Sequence, residues 1–352
     1  MDSYREGETW IEAFDALEEY VSEHLDIQVT SQSLAIPEPL RAVFYQKLSR
    51  TQALLGREVL GDSSAALFEV ASLCGSVKRH LVETSDLVDF RLASAVEALV
   101  ADPHEALVKP LFGLILDVLQ KRSTRENLPA IARPALLEHS RQLFRNAYEA
   151  WAYYGIVAAL RPTRFYEVFS PDTLKAYAIS SGHITVGSQI TSPERRIPEA
   201  VFETADGQLF AMKSEVAREL DFYGTKITRR RDFSAGGNTI DLIAHRVLLL
   251  YRIPDINSIP IIADRDTQLI LRSDLMCEVL YPQEMEQPSY VSRFVDRINT
   301  MRSKLPVQVI CFDDTGRFPE GMLEDERVQA IEQRIVGFSE ESLRDIAGLL
   351  SA

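Results

Sequence analysis

The stretch from Pro198 to Glu215 reads Pro-Glu-Ala-Val-Phe-Glu-Thr-Ala-Asp-Gly-Gln-Leu-Phe-Ala-Met-Lys-Ser-Glu. Two apolar-rich runs, 199–204 and 208–213, flank Asp206-Gly207, a strong short-range signal for a tight turn between paired strands. An acid, Glu199, opens the first strand and Lys213 closes the second. Alternate residues of a strand share a face, so 211, 213 and 215 project together. Glu199 on the neighbouring strand can face the same cleft, and Glu215 extends the row beyond Lys213. A lysine among carboxylates at the end of a hairpin suits phosphodiester chemistry. Clustered acids hold hard divalent cations, and a cation stabilises charge on the phosphate or orients the attacking water.

The hairpin sits in a β-rich second half. Before Arg161-Pro162 the pattern is helical. Trp10, Phe14, Leu17, Val21 and Leu25 recur at helical spacing. Pro37 and Pro39 mark a helix start near 38, and Gly56 its end. Asp62, Ser63 and Ser64 offer an N-cap for a helix with Leu67, Val70, Ala71, Cys74 and Leu81 on one face. Asp102-Pro103 opens another, which Pro110 kinks or splits. The last helix of this half is expected from about 135 to 160. Short strand-like runs then appear at 164–169, 174–180 and 183–190, ahead of the hairpin. A helix is expected at 239–252, capped by Asn238 or Thr239. Apolar runs follow at 258–263, 267–271 and 276–281, then a helix at 288–303, the run 307–312, and helical segments over 321–350. The fold class expected is α+β. A helical bundle, residues 1–140, is followed by a mixed-sheet α/β domain, residues 141–352.

Composition narrows the function classes. The chain has 352 residues and a formal charge of −14, with 46% hydrophobic and 26% charged residues. Such a balance suits a globular protein and argues against a general nucleic-acid coat, while leaving room for a local basic site. Three cysteines, Cys74, Cys277 and Cys311, show no metal-ribbon spacing. With the absence of an apolar signal core they suggest a cytoplasmic setting. No run approaches the about 18 apolar residues of a membrane span. The six histidines form no metal-binding pair. Lys226, Arg229, Arg230 and Arg231, flanked by Tyr223 and Phe233, make a local basic cluster. It suits a phosphate backbone, the alternative being a solvated loop paired with nearby acids.

Residues 146–160, Asn-Ala-Tyr-Glu-Ala-Trp-Ala-Tyr-Tyr-Gly-Ile-Val-Ala-Ala-Leu, place Glu149 beside a packing face of Tyr148, Trp151, Gly155 and Ala158. This run resembles the Tyr-Glu-x-Trp helix that leads into the core of PD-(D/E)xK nuclease-fold proteins of the McrC-like restriction group. Pro198-Glu199 matches that group's first motif and Lys213 its lysine. The helix at 239–252 stands where its next element is expected, and Tyr281-Pro282 follows an apolar strand as in that group. The resemblance covers about 140–320. It implies a restriction-endonuclease-like core acting on nucleic acid, DNA among the partners, with Mg2+ or Mn2+ as cofactor if the site is active. Its site would comprise Lys213, Glu199 and Glu215, with Glu199 and Glu149 as metal ligands and Lys226 with Arg229–Arg231 on the nucleic acid. Ala211 stands where the pattern requires the central metal-binding acid. The site has therefore either moved a carboxylate, to Glu215, Glu203 or Glu149, or lost cleavage. The second function class is a non-catalytic adaptor that holds a protein partner or a second copy through its N-terminal helices.

Overall fold

A computed structural model describes residues 8–30, 33–172, 175–186, 197–215, 246–261, 263–264, 269–281, 294–295, 298, 301, 303–314 and 331–351. The chain is α+β, with N-terminal helices followed by a large mixed sheet of eight strands. Helix α1 is Trp10–Glu23, β1 Gln28–Val29, β2 Leu34–Ala35, α2 Glu38–Leu60 and α3 Ala65–Thr84. Strand β3 is Asp89–Arg91, followed by α4 Ser94–Ala101, α5 Pro103–Val108, α6 Leu111–Leu119 and α7 Leu128–Ala159. The strands β4 Pro162–Asp172, β5 Lys175–Ser180, β6 His183–Thr185, β7 Ala200–Thr204, β8 Leu209–Glu215 and β9 Arg246–Ile253 come next. Then follow β10 Ala263–Asp264, β11 Leu269–Ile270, β12 Leu275–Leu280, β13 Val307–Cys311, β14 Ile331–Ile335 and helix α8, Glu340–Gly348.

The chain divides into two compact units, Met1–Cys74 with Ser94–Tyr148, and Gly75–Ala93 with Glu149–Ala352. The divisions fall inside α3 and α7. In the first unit, Thr9 and Glu12 form a capping box that starts α1: Glu12 N donates to Thr9 Oγ1, and Thr9 N to Glu12 Oε2. Trp10, Phe14, Leu17 and Tyr20 are buried, but Leu25 lies past the helix end and is 93% exposed, while Ile27 takes the inward position. Helix α2 runs through Gly56 to Leu60, and Gly61, at φ 51°, ends it. Gly56 is kept for packing: a Cβ there would stand 2.6 Å from Val108 Cγ1 of α5. Asp102 caps α5, and Pro110 separates α5 from α6, as its missing N–H requires. Helix α7 starts at Leu128, earlier than expected, and carries Pro134 in its interior.

In the second unit the sheet order is β14-β13-β12-β9-β8-β7-β4-β5. Neighbours from β5 to β12 are antiparallel, while β12, β13 and β14 are parallel. The expected helix at 239–252 is a strand from Arg246 onward, paired on β8 and β12. Val247 to Leu250 are all buried, so the run carries no alternation, and an apolar run buried on both faces has no period by which to distinguish it from a helix. β12 and β13 are likewise buried at every position, Glu278 and Gln308 included. The helical segment expected over 321–350 is a strand at β14 before helix α8 begins. Phe294, Val295, Ile298 and Met301 are helical, inside the expected 288–303 segment.

One sheet face joins Val201, Ala211, Leu249, Tyr251, Met276 and Val309 in a cluster with Phe294, Ile298 and Met301. On the other face Phe165, Phe202 and Phe210 form a cross-strand ladder, with centroids 5.8 and 5.5 Å apart, and Phe90 packs on Phe165 and on Tyr154 of α7.

Candidate functional site

Because β7 and β8 are antiparallel, the start of β7 and the end of β8 lie at one end of the sheet. So does the end of β12, since β9 is antiparallel to both β8 and β12. Three buried glutamates and a buried lysine lie in or beside these elements and in α7: Glu149, Glu199, Glu278 and Lys213. Burying a charge is costly unless it is paired or hydrogen-bonded, so this concentration needs a reason.

Glu199 N donates to Met212 O at 2.8 Å, fixing the residue just before β7. Its carboxylate is held by a chain of hydroxyls. Ser214 Oγ donates to Glu199 Oε2 at 2.7 Å, and Tyr154 OH of α7 donates to Ser214 Oγ at 3.1 Å. This relay orients one carboxylate oxygen. It depends on Ser214 pointing toward α7, on the opposite side of the strand from Ala211, so the Glu199 carboxylate does not share the Lys213 face as the sequence suggested.

Lys213 is only 3% exposed. Its register partner is Leu249, and alternation puts it on the face of Ala211. Ala211 lies between Val201 and Tyr251, all three within the apolar cluster. The position at which the nuclease pattern that the hairpin resembles carries its central acid is thus the interior of a hydrophobic layer, which suits alanine there. Glu215 is on β8 across a register shift that follows Lys213, and it pairs with Arg246; its side chain lies outside the described residues. Glu203 is not a replacement. It sits toward the other end of β7, where it accepts from Tyr166 OH at 3.2 Å and lies 3.9 Å from Arg164. Burial, and secondarily the Glu203 charge, raise the Tyr166 phenol, against the hydrogen bonding of Arg164.

Tyr153 connects Glu149 and Glu278. Its hydroxyl accepts from Val279 N at 3.1 Å, next to the last β9–β12 pair, Val247 with Glu278. Burial first, then the negative charges of Glu149 and Glu278, push this phenol well above its ordinary value. Tyr153 therefore stays protonated and neutral between two carboxylates. Glu278 was not picked out by sequence pattern. Its signal was present, as a lone acid inside the run Leu-Met-Cys-Glu-Val-Leu, residues 275–280. From the register, Lys213 and Glu278 lie two strands and one pleat repeat apart on the same sheet face, about 12 Å between Cα atoms. Two long side chains span such a gap.

Lys226, Arg229, Arg230 and Arg231, with Tyr223, Phe233 and the cap candidates Asn238 and Thr239, lie outside the described residues. Among the described residues, no three His, Cys, Asp or Glu side chains come together as a metal set. Cys277 is fully buried, and desolvation raises its thiol far above the range of a nucleophile. No helix among the described residues is long and apolar enough to cross a membrane.

No protein-family model matches the chain, and neither a curated protein nor a solved structure does.

Proposed function

We propose that the chain is a nucleic-acid-processing protein whose second unit is a restriction-endonuclease-like core with an altered site. The observation that carries this reading is that Glu199 and Lys213, the two residues that match the resembled motifs, lie with buried Glu149 and Glu278 at one end of the sheet, Lys213 and Glu278 on the Ala211 face and the Glu199 carboxylate turned to Ser214 on the α7 side. Ionisable groups buried together in this way are typical of functional sites. Lys213, buried beneath this end of the sheet, would add positive potential toward a backbone phosphate without touching it. Glu199, oriented through Ser214 and Tyr154, would accept a proton or position a water. Lys226 and Arg229–Arg231 would add sequence-independent phosphate contacts.

Among the described side chains a three-residue ligand set for a divalent cation is not assembled. Ala211 is embedded in apolar neighbours, and no three ligating groups converge. The reading is accordingly one of phosphodiester binding with cleavage weakened or lost. The test is fluorescence anisotropy with labelled single- and double-stranded DNA and RNA, beside cleavage assays with Mg2+ or Mn2+. Lys213→Met keeps the side-chain length and removes the charge. Binding that falls in this variant while the protein stays folded supports the reading, and unchanged binding refutes it.

A second reading, a non-catalytic adaptor, is favoured by one surface. Phe169, Tyr177 and Ile179 are exposed on the hairpin of β4 and edge strand β5, and the register places all three on one face. Apolar groups on a sheet edge suit contact with another protein. Self-association lost on Tyr177→Lys and Ile179→Lys, with no nucleic-acid binding, would select this reading.

A further inference from the structure

A second feature of the sheet-bearing unit lies away from the buried acids. A cavity of about 860 Å3 is lined by the C-terminal part of α3, the last turns of α7, the β7–β8 turn and α8. That volume suits a small molecule, whose sites span about 300–1,000 Å3. Thr204 and Gln208 at its rim are separated from the Glu199 end of the hairpin by the length of β7, about 17 Å.

The walls are apolar and close-set. Gly155, Ala158 and Ala159 of α7 face Leu343 and Ala347 of α8, and Trp151 lies among them. A Cβ on Gly155 would meet Leu343 Cδ1 at 2.5 Å, so the two helices approach as closely as glycine permits. Beside that contact the small side chains of Ala158, Ala159 and Ala347 leave room for a flat ring system along the cavity wall.

The charges at the rim are unequally committed. Glu340 lies 3.7 Å from Arg344. Asp206 accepts from Thr204 Oγ1 at 2.5 Å and from Gln208 Nε2 at 2.7 Å. Among the described residues no hydrogen bond or ion pair engages the side chain of Arg161 or of His80. Arg161 also has φ 55°, the left-handed region in which glycine is the usual residue just past a helix. Its backbone is pinned there: its N–H donates to Ala158 O at 3.0 Å, and its carbonyl accepts from Ala205 N at 3.1 Å. An arginine in a glycine position, with an uncommitted guanidinium at the mouth of an apolar slot, is a strained residue kept for its side chain.

We infer that this cavity binds a small organic anion with a flat apolar body, its negative group held by Arg161 with His80 and Arg344 alongside. A guanidinium fork matches a carboxylate, sulfonate or phosphate through two parallel hydrogen bonds. The test uses the full chain and two dyes of the same ring size, 8-anilinonaphthalene-1-sulfonate and uncharged N-phenyl-1-naphthylamine. Saturable binding at one site is expected, with the sulfonate about tenfold tighter. Arg161→Gly should weaken the sulfonate by about tenfold and leave the neutral dye unchanged. It should not lower the thermal midpoint, since glycine accepts the backbone angle. Ala159→Trp should block both dyes. Equal affinity for the two dyes in the wild type, or sulfonate binding unaffected by Arg161→Gly, would overturn the inference. Should Ala159→Trp not fold, the arginine comparison decides the matter alone.

Discussion

Replacing Ser214 by alanine is the sharpest probe of the buried relay. The substitution deletes a hydroxyl that donates to Glu199 Oε2 and accepts from Tyr154 OH, all three side chains being buried. A hydrogen bond to a charged group contributes about 1.5–3 kcal/mol, a neutral one about 1 kcal/mol, and each partner left buried adds its own desolvation cost. Ser214→Ala should therefore destabilise the sheet-bearing unit by about 2–4 kcal/mol. Tyr154→Phe leaves Ser214 bonded to Glu199 and should cost only about 1 kcal/mol. In the double variant the tyrosine hydroxyl is no longer orphaned, so the two losses should fall short of additive by about 1 kcal/mol. The assay is urea denaturation followed by Trp151 fluorescence in a Trp10→Phe background, since these are the only two tryptophans. The dependence of stability on urea should keep its slope. A Ser214→Ala variant within about 0.5 kcal/mol of its background would refute the relay. So would a Tyr154→Phe loss as large as the serine loss.

Ala211→Glu places an acid where the nuclease pattern that the hairpin resembles has one, but into an apolar layer between Val201 and Tyr251. It should lower stability by about 3 kcal/mol or more and confer no Mg2+-dependent cleavage, read by thermal melting and a cleavage assay. Gly56→Ala gains about 1 kcal/mol of helix propensity but meets Val108 Cγ1 at 2.6 Å, so the melting temperature should fall rather than rise. Burial lowers the His139 imidazole from its ordinary 6.5, Lys109 adding to this and the hydrogen bond to Ala106 O opposing it. The unfolded chain then binds the proton more readily, so this increment of stability is full above pH 6.5 and is lost as pH falls through that value toward the folded one. His139→Gln should flatten the stability profile between pH 7.5 and 5.5, and an unchanged slope would count against the assignment.

The sequence by itself determined the features whose causes are local. The Asp206-Gly207 turn between apolar-rich runs yields the β7–β8 hairpin, and Asp102-Pro103 starts α5 because its side chain and ring satisfy helix-end requirements within one turn. The α+β order followed from the change of periodicity after Arg161-Pro162. Tertiary structure decided what depends on burial by distant segments. Val247–Leu250 form a strand because β8 and β12 cover both edges, a fact no short apolar run records. Leu25 fits the helical stripe but falls beyond α1, into solvent. Glu199 and Lys213 were legible as a motif, whereas Ser214, Tyr154, Tyr153 and Glu278 joined them only through pairing of strands and the packing of α7. Hydrogen bonds and charge pairs act over a few ångströms in space, and the fold alone brings Tyr154 onto Ser214 and Tyr153 onto Val279, beside Glu278.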